Sequence, residues 1–172
     1  ILSTPSLEYN LNTDIGIYTN GGKVVNKKTT LTSKEGYYYA SLKEIYFKND
    51  VKLNDPGYKI TTDSLLYNTA TQTNRFIAKT TIIDSSGRRI ETKDGYYKGG
   101  KAEFNQRPTI IDGSTTITGD RIAFDDSTGT SQAIGNVVVV DTAQGTTLVT
   151  GQLFRQDKEE RMLATGKPLL IF

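Results

Sequence analysis

The chain has 172 residues, with 21 Lys plus Arg against 19 Asp plus Glu and a hydrophobic content of 35%, the size of one domain able to bury roughly 70% of its unfolded surface. It contains neither histidine nor cysteine, which removes the commonest general base, the commonest transition-metal ligand, disulfides and thiolate metal sites. The net charge of +2 is spread over interspersed charges of both signs, which gives no support to nucleic acid as a principal partner, and no run of about 18 apolar residues is present to span a membrane as a helix.

Along the chain the sequence repeats. Starting points fall at Leu2, Leu31, Ile60, Ile90, Ile117 and Val149, spaced by 29, 29, 30, 27 and 32 residues. A period in this range means that one supersecondary unit is stacked on copies of itself, so the expected architecture is an array of six half-repeats over residues 1–172. Each unit reads as two strands around a polar turn. In the third, Ile60–Tyr67 is a strand, Asn68–Thr73 a turn and Arg75–Ile83 the return strand; in the fifth, Ile117–Phe124 precedes Asp125–Gly129 and Gln132–Val140 follows. A second class of turn joins the units: Asp55-Pro56-Gly57, Asp84–Gly87, Asp112-Gly113 and Asp141–Gly145. Asn, Asp, Ser and Gly supply local hydrogen bonds and left-handed backbone positions there. The punctuation predicts an all-β fold of about 12 or more short strands with essentially no helix, folded as an antiparallel sheet sandwich.

Alternation sorts the side chains by face. The return strands place Phe76, Ala78, Thr80 and Ile82 together, then Ala133, Gly135, Val137 and Val139, then Ala164, Gly166, Pro168 and Leu170. The first strands of the units contribute Ile60, Leu65 and Tyr67, with Ile117, Ile122 and Phe124 in the same places. The step of five from Ile60 to Leu65 breaks period-2 parity, which predicts a bulge or corner near Asp63 and Asp120 where one strand crosses between two packed layers. If Val137 and Val139 face inward, Val138 and Val140 face out.

An acidic residue followed by an apolar and an aromatic one recurs as Asp63-x-Leu65-x-Tyr67-Asn68 and Asp120-x-Ile122-x-Phe124-Asp125, with Ala133-Ile134-Gly135-Asn136-Val137 beyond the second. Together these residues resemble the LptA/OstA family of periplasmic lipopolysaccharide-transport proteins. The resemblance implies a β-jellyroll whose open interior holds lipopolysaccharide acyl chains in an apolar trough, without catalytic residues, cofactor or metal. It also implies a location in the periplasm of a Gram-negative cell envelope, other jellyroll domains of a transport bridge as partners, and delivery toward the outer membrane. Carried over onto the matching alternation positions, the lipid-facing row is Phe76, Ala78, Ile82, Ile122, Phe124, Val137, Val139 and Leu170. The second and fourth units depart from the pattern, with Tyr37-Tyr38-Tyr39 and Gly95-Tyr96-Tyr97 in place of the usual strand.

Other features have plainer readings beside the sharp ones. The ten tyrosines suit sugar stacking, but tyrosine is also a favoured strand residue. Arg88-Arg89 and Lys27-Lys28 suit lipid phosphates, but short basic pairs at turns are usually solvated edge charges. Asp63, Asp120, Asp125 and Asp126 lack the spacing of a calcium loop. An array also ends in open strand edges, so Leu169, Leu170, Ile171 and Phe172 are expected to form an edge for end-to-end self-association. The alternative to a lipid carrier is a β-repeat scaffold or surface module that binds proteins or glycans through its sheet edges. The start at Ile1 is the mark of a processed form or of a piece of a longer array.

Overall fold

The computed structural model describes residues 1–172. Its strands in chain order are β1 (Leu2–Ser3), β2 (Glu8–Asn10), β3 (Ile15–Tyr18), β4 (Gly22–Asn26), β5 (Thr29–Ser33), β6 (Glu35–Tyr39), β7 (Glu44–Asn54), β8 (Tyr58–Asn68), β9 (Thr73–Phe76) and β10 (Thr80–Asp84). There follow β11 (Arg89–Thr92), β12 (Asp94–Lys98), β13 (Lys101–Asn105), β14 (Thr109–Asp112), β15 (Thr115–Thr118), β16 (Arg121–Asp125), β17 (Thr130–Asp141), β18 (Thr146–Gln156), β19 (Arg161–Thr165) and β20 (Leu169–Ile171). One 3-10 turn, Asp157–Glu159, is the only helical element. The fold is all-β, as the punctuation predicts, and the expected turns all lie between strands.

Every pairing is antiparallel, and the pairings sort the strands into two rows. One runs β1, β4, β5, β7, β8, β10, β11, β14, β15, β17, β18, β20. The other runs β2, β3, β6, β7, β8, β9, β12, β13, β16, β17, β18, β19. Four long strands, β7, β8, β17 and β18, belong to both rows, pairing in the first through one half and in the second through the other. Elsewhere the chain breaks between rows, so the expected continuous return strand Arg75–Ile83 is two strands separated by Ile77–Lys79, and Ile117–Phe124 is split at Gly119-Asp120.

Cross-strand register explains the repeat. In the first row, directly paired positions read Leu2, Val24, Leu31, Leu53, Ile60, Ile82, Ile90, Ile110, Ile117, Val139, Leu148 and Leu170. Five of the six starting points in the sequence stand in this aliphatic ladder. The sixth is displaced by one residue: Leu148 takes the place, and Val149 faces outward. In the second row the ladder is Tyr18, Gly36, Phe47, Leu65, Phe76, Gly95, Phe104, Ile122, Ala133, Leu153 and Ala164. Most of both ladders join one core cluster. Opposed β-branched and aromatic side chains on one face are the unit of sheet stabilisation, and here that unit recurs at every step.

The corner between rows is where Asp63 and Asp120 were expected to mark it, with the extra residues in the partner strand. The register of β7 against β8 slips between Lys48 and Val51, opposite Asp63, and Asn49 and Asp50 have φ of 62° and 54°. The register of β17 against β18 slips between Ile134 and Val137, at Gly135 (φ 75°) and Asn136 (φ 46°). Left-handed φ at Gly and Asn is what the Gly-Asn pair of the sequence motif supplies. Asp120 accepts hydrogen bonds from Asn136 Nδ2 at 2.7 Å and Arg107 at 3.1 Å, so this carboxylate braces the corner. Along the inside of the bend run buried hydroxyls. Thr62 and Thr80 stand 2.9 Å apart, and Thr150 donates to the Thr165 carbonyl at 2.6 Å. Tyr18 donates to Ser33 Oγ at 2.7 Å, since the Ser33 hydrogen goes to the Glu35 carbonyl.

Candidate functional site

Away from the corner the two rows part, and the space between them is unevenly filled. The widest cavity, about 440 Å³, lies in the first half of the array between Val24, Leu31, Ile45, Phe47, Leu53, Tyr58 and Tyr67, with Asn26, Thr29, Thr69 and Gln72 at its margin and Asn74 against its wall. A second, about 380 Å³, shares Ile1, Val24, Ile45, Phe47 and Thr69 with it and continues toward Leu2, Leu7, Tyr9 and Tyr38 at the amino-terminal end. The two form one apolar trough open along its mouth. Beyond Ile110 the space shrinks to about 20 Å³ between Ile117, Ile122, Ala133 and Leu153.

A third cavity, about 300 Å³, lies mid-array against Ile60, Ile82, Ile90, Phe104 and Phe124. Tyr58 lines both it and the widest cavity, and its ring meets Tyr97 of the opposite row edge-on at 4.9 Å. Beside this pair the Arg88 guanidinium sits over the Phe124 ring, 5.3 Å from its centroid, a cation–π contact across the mouth. Arg88 is held by Asp84 at 2.8 Å. Burial raises the pKa of Asp84, but hydrogen bonds from Ser86, the charge of Arg88 and backbone donors outweigh it, and the net shift is downward. Asp126 is shifted the other way, first by burial and then by the charges of Asp84, Asp125 and Asp157, against the pull of Arg88. Burial, aided by Asp55 and the neighbouring tyrosines, pushes the Tyr58 hydroxyl upward too, so both tyrosines of the contact stay neutral at physiological pH. No group of three or more acidic side chains is gathered to hold a metal ion.

The eight positions carried over by resemblance are divided by the structure. Phe76, Ile82, Ile122, Val137 and Val139 are buried, and Ala78 and Phe124 are half-buried. Ile82 and Phe124 line the central cavity and Ile122 the small one; none of the eight lines the trough. Val138 and Val140 alternate outward as expected but are half-buried and not exposed, because Thr118 and Val149 flank the first and Thr116 and Thr147 the second. Leu170 is on the inward face, opposite Leu148, yet it is 54% exposed, because β20 ends its row and nothing lies beyond it. Leu169, Ile171 and Phe172 are exposed with it.

The Tyr37–Tyr39 and Gly95–Tyr97 segments do not replace strands: they are β6 and β12. Their glycines stand on the inward ladder under aromatic rings. A Cβ on Gly36 would meet the Tyr18 ring at 2.2 Å, and one on Gly95 the Glu103 carbonyl at 2.2 Å and Phe104 at 3.0 Å. Tyr38 and Tyr97, two residues on from these glycines, line the space between rows. The trough residues Val24, Ile45, Phe47 and Leu53 escape the sequence reading because units one and two lack the Ala-x-Gly-Asn signature. The signal for two of them is the recurrence of Val24, Leu53 and Ile82 at intervals of 29 residues, the spacing of the first starting points.

Residues 1–63 match a family model described as OstA-like protein. Over this stretch the chain is similar to OstA-like proteins, in line with the sequence resemblance. The matched residues end where the first of the quoted motifs begins, and they supply most of the trough wall, including Val24, Leu31, Ile45, Phe47, Leu53 and Tyr58. Among curated proteins no sequence matches the chain significantly. Sixteen chains of solved structures do match. One is the crystal structure of LptH, the LptA homologous periplasmic component of the conserved lipopolysaccharide transport device from Pseudomonas aeruginosa. It shares 11% identity over 84% of this chain and 94% of that one, with a TM-score of 0.36.

Proposed function

We propose that the chain is a non-catalytic carrier domain, a β-jellyroll of six half-repeats, that holds the acyl chains of lipopolysaccharide or a similar glycolipid between its two rows of strands. The observation that carries this reading is the apolar trough in the OstA-like residues, closed at the corner and open at the mouth. A passive mechanism suits it. Transfer of acyl carbons from water contributes about 0.8 kcal/mol per CH₂, so a partly enclosed chain of ~10 carbons gains several kcal/mol without covalent chemistry. On this reading the ligand contacts are chiefly Val24, Ile45, Phe47, Leu53 and Tyr58 in the trough, with Ile82 and Phe124 beyond the tyrosine contact; Ile122, Phe76, Ala78, Val137 and Val139 back the closed part. Such a carrier works in the periplasm of a Gram-negative envelope, with neighbouring jellyroll domains of a transport bridge giving direction.

Ile45 provides the test. It is half-buried and lines both cavities of the trough, so a charge there blocks an apolar ligand while the carboxylate still reaches water at the mouth. A photo-crosslinker at Ile45 is expected to capture lipopolysaccharide, and Ile45→Glu to lower capture by a crosslinker placed at Val24, which lines the same two cavities, at least about tenfold, since an acyl chain laid over a carboxylate desolvates it. A folded protein crosslinked at Ile45 that never captures the glycolipid overturns the reading.

The ends support a second element of the proposal, association end to end. Leu2 at one end and Leu169–Phe172 at the other leave the inward face uncovered and their backbone edges unpaired, the condition under which strands add to strands. The alternative of a scaffold acting through its edges is favoured by the same residues, and by the filled second half. Sedimentation velocity over a hundredfold concentration range is expected to show growth that deleting Leu169–Phe172 suppresses. A constant monomer, unaltered by the deletion, overturns it.

A further inference from the structure

The outer side of the bend carries a wholly polar groove of about 370 Å³ that shares no residue with the trough. Its floor is the outward alternation of the first row, Glu91, Thr109 and Thr118, whose neighbours Ile90, Ile110 and Ile117 stand on the inward ladder. Its rim lies where the chain crosses between rows: Lys79 between β9 and β10, Lys93 between β11 and β12, and Arg107 between β13 and β14. Register sets these three side by side. Continued one or two residues past their last paired positions, the pairings of β8 with β10, β10 with β11, β11 with β14 and β14 with β15 place Lys79 opposite Asp63, Lys93 opposite Lys79, Arg107 opposite Lys93 and Asp120 opposite Arg107. The Arg107 amide donates to the Asp120 carbonyl at 3.3 Å, in keeping with that line. Directly opposed residues stand about 5 Å apart, and like charges so placed destabilise a sheet. The line reads acid, three cations, acid, and within it Lys93 has a cation on each side. Arg107 is ion-paired with Asp120 at 3.1 Å, but neither Lys79 nor Lys93 belongs to any ion pair. The one carboxylate of the lining, Glu91, is held by Arg89 at 2.7 Å.

We infer that this groove binds a small oxyanion of two or more charges, a phosphate ester or diphosphate, on Lys79, Lys93 and Arg107. Ammonium groups and an arginine fork give charge-assisted hydrogen bonds to phosphate oxygens. The hydroxyls of Thr109 and Thr118, 3.3 Å apart, and the Gln106 amide suit the ester oxygens or hydroxyls beyond the phosphate. No hydrophobic side chain lines the groove, so an apolar ligand finds no surface there. A singly charged carboxylate offsets one cation of the three, whereas a phosphate ester, with about two charges at neutral pH, relieves the repulsion on both sides of Lys93.

Calorimetric titration of the full chain with inorganic pyrophosphate tests this, with acetate as the singly charged comparison. One site is expected, weakened by salt, with acetate bound at least about tenfold more weakly. Lys93→Gln is expected to weaken pyrophosphate at least about tenfold. Lys98→Gln, at a lysine opposite Lys101, which Asp125 already neutralises, is expected to leave it unchanged. Lys93→Glu should abolish binding and raise the melting temperature of the free protein by about 1–3 °C, because it makes the charges alternate along the line. That gain separates relief of a repulsion from damage to the fold. Given pyrophosphate binding, flotation with phosphatidylcholine vesicles, plain or carrying phosphatidic acid, tells the source. Capture that requires phosphatidic acid and is lost in Lys93→Gln assigns the phosphate to a lipid headgroup, and absence of capture assigns it to a soluble ester. No saturable binding of pyrophosphate, equal weakening by Lys93→Gln and Lys98→Gln, or a lowered melting temperature in Lys93→Glu overturns the inference and leaves the trough standing.

Discussion

Phe104→Ala is expected to cost about 3–5 kcal/mol of folding stability, measured by urea denaturation, because it removes the central ring of a run of three and leaves a cavity that the sheet cannot collapse to fill. Phe104 is fully buried. Its ring lies 6.0 Å from Phe76 and 5.6 Å from Phe124, and its strand β13 is hydrogen-bonded on both sides. Phe124→Ala should cost clearly less, since that ring is half-buried and already borders open space. Equal losses at the two positions would mean that the mouth is as tightly filled as the corner.

Gly95→Ala is expected to destabilise by about 2–4 kcal/mol, combining backbone strain with overpacking. Its φ of 149° is one that residues with a Cβ rarely adopt, and the added carbon would stand 2.2 Å from a main-chain oxygen that has no freedom to retreat. Gly36→Ala meets instead the ring of Tyr18, a side chain able to rotate away at the loss of its hydrogen bond to Ser33. The smaller loss is therefore expected at Gly36, and paired melting curves of the two variants read the difference. A milder effect at Gly95 than at Gly36 would show that β12 shifts freely, against its pairing to both β9 and β13.

Those two glycines also mark the border of what was legible in the sequence. The turns, the period near 29 and the parity break at Asp63 were visible, because each is written in residue type and spacing: a turn needs Asp or Gly where the backbone bends, and a ladder needs an aliphatic residue at every crossing. What the glycines do was not legible, because their covering rings come from other strands. The same limit explains the trough. Alternation identifies an inward face but not the distance to the row opposite, so Val137 and Val139, which carry the clearest pattern, face a filled interior, while Ile45 and Phe47 face an open one. At Leu170 the pattern identifies the inward face, and the residue stays exposed because burial there depends on whether another strand follows.

The two ladders have a further consequence. Within its row each crossing is paired only with the one before and the one after it, and because β8 and β17 belong to both rows, the ten strands from β8 to β17 close into one hydrogen-bonded ring that the remaining strands extend at either end. Nothing in such a plan fixes how many crossings there are. Duplication of a hairpin pair inserts its own aliphatic residue into one ladder and its own inward residue into the other, and leaves every existing neighbour but one undisturbed. Lengthening the two ladders is thus a matter of genetic copying and not of redesign, whereas the space between them depends on the side chains each copy carries, as the open first half and the filled second half show.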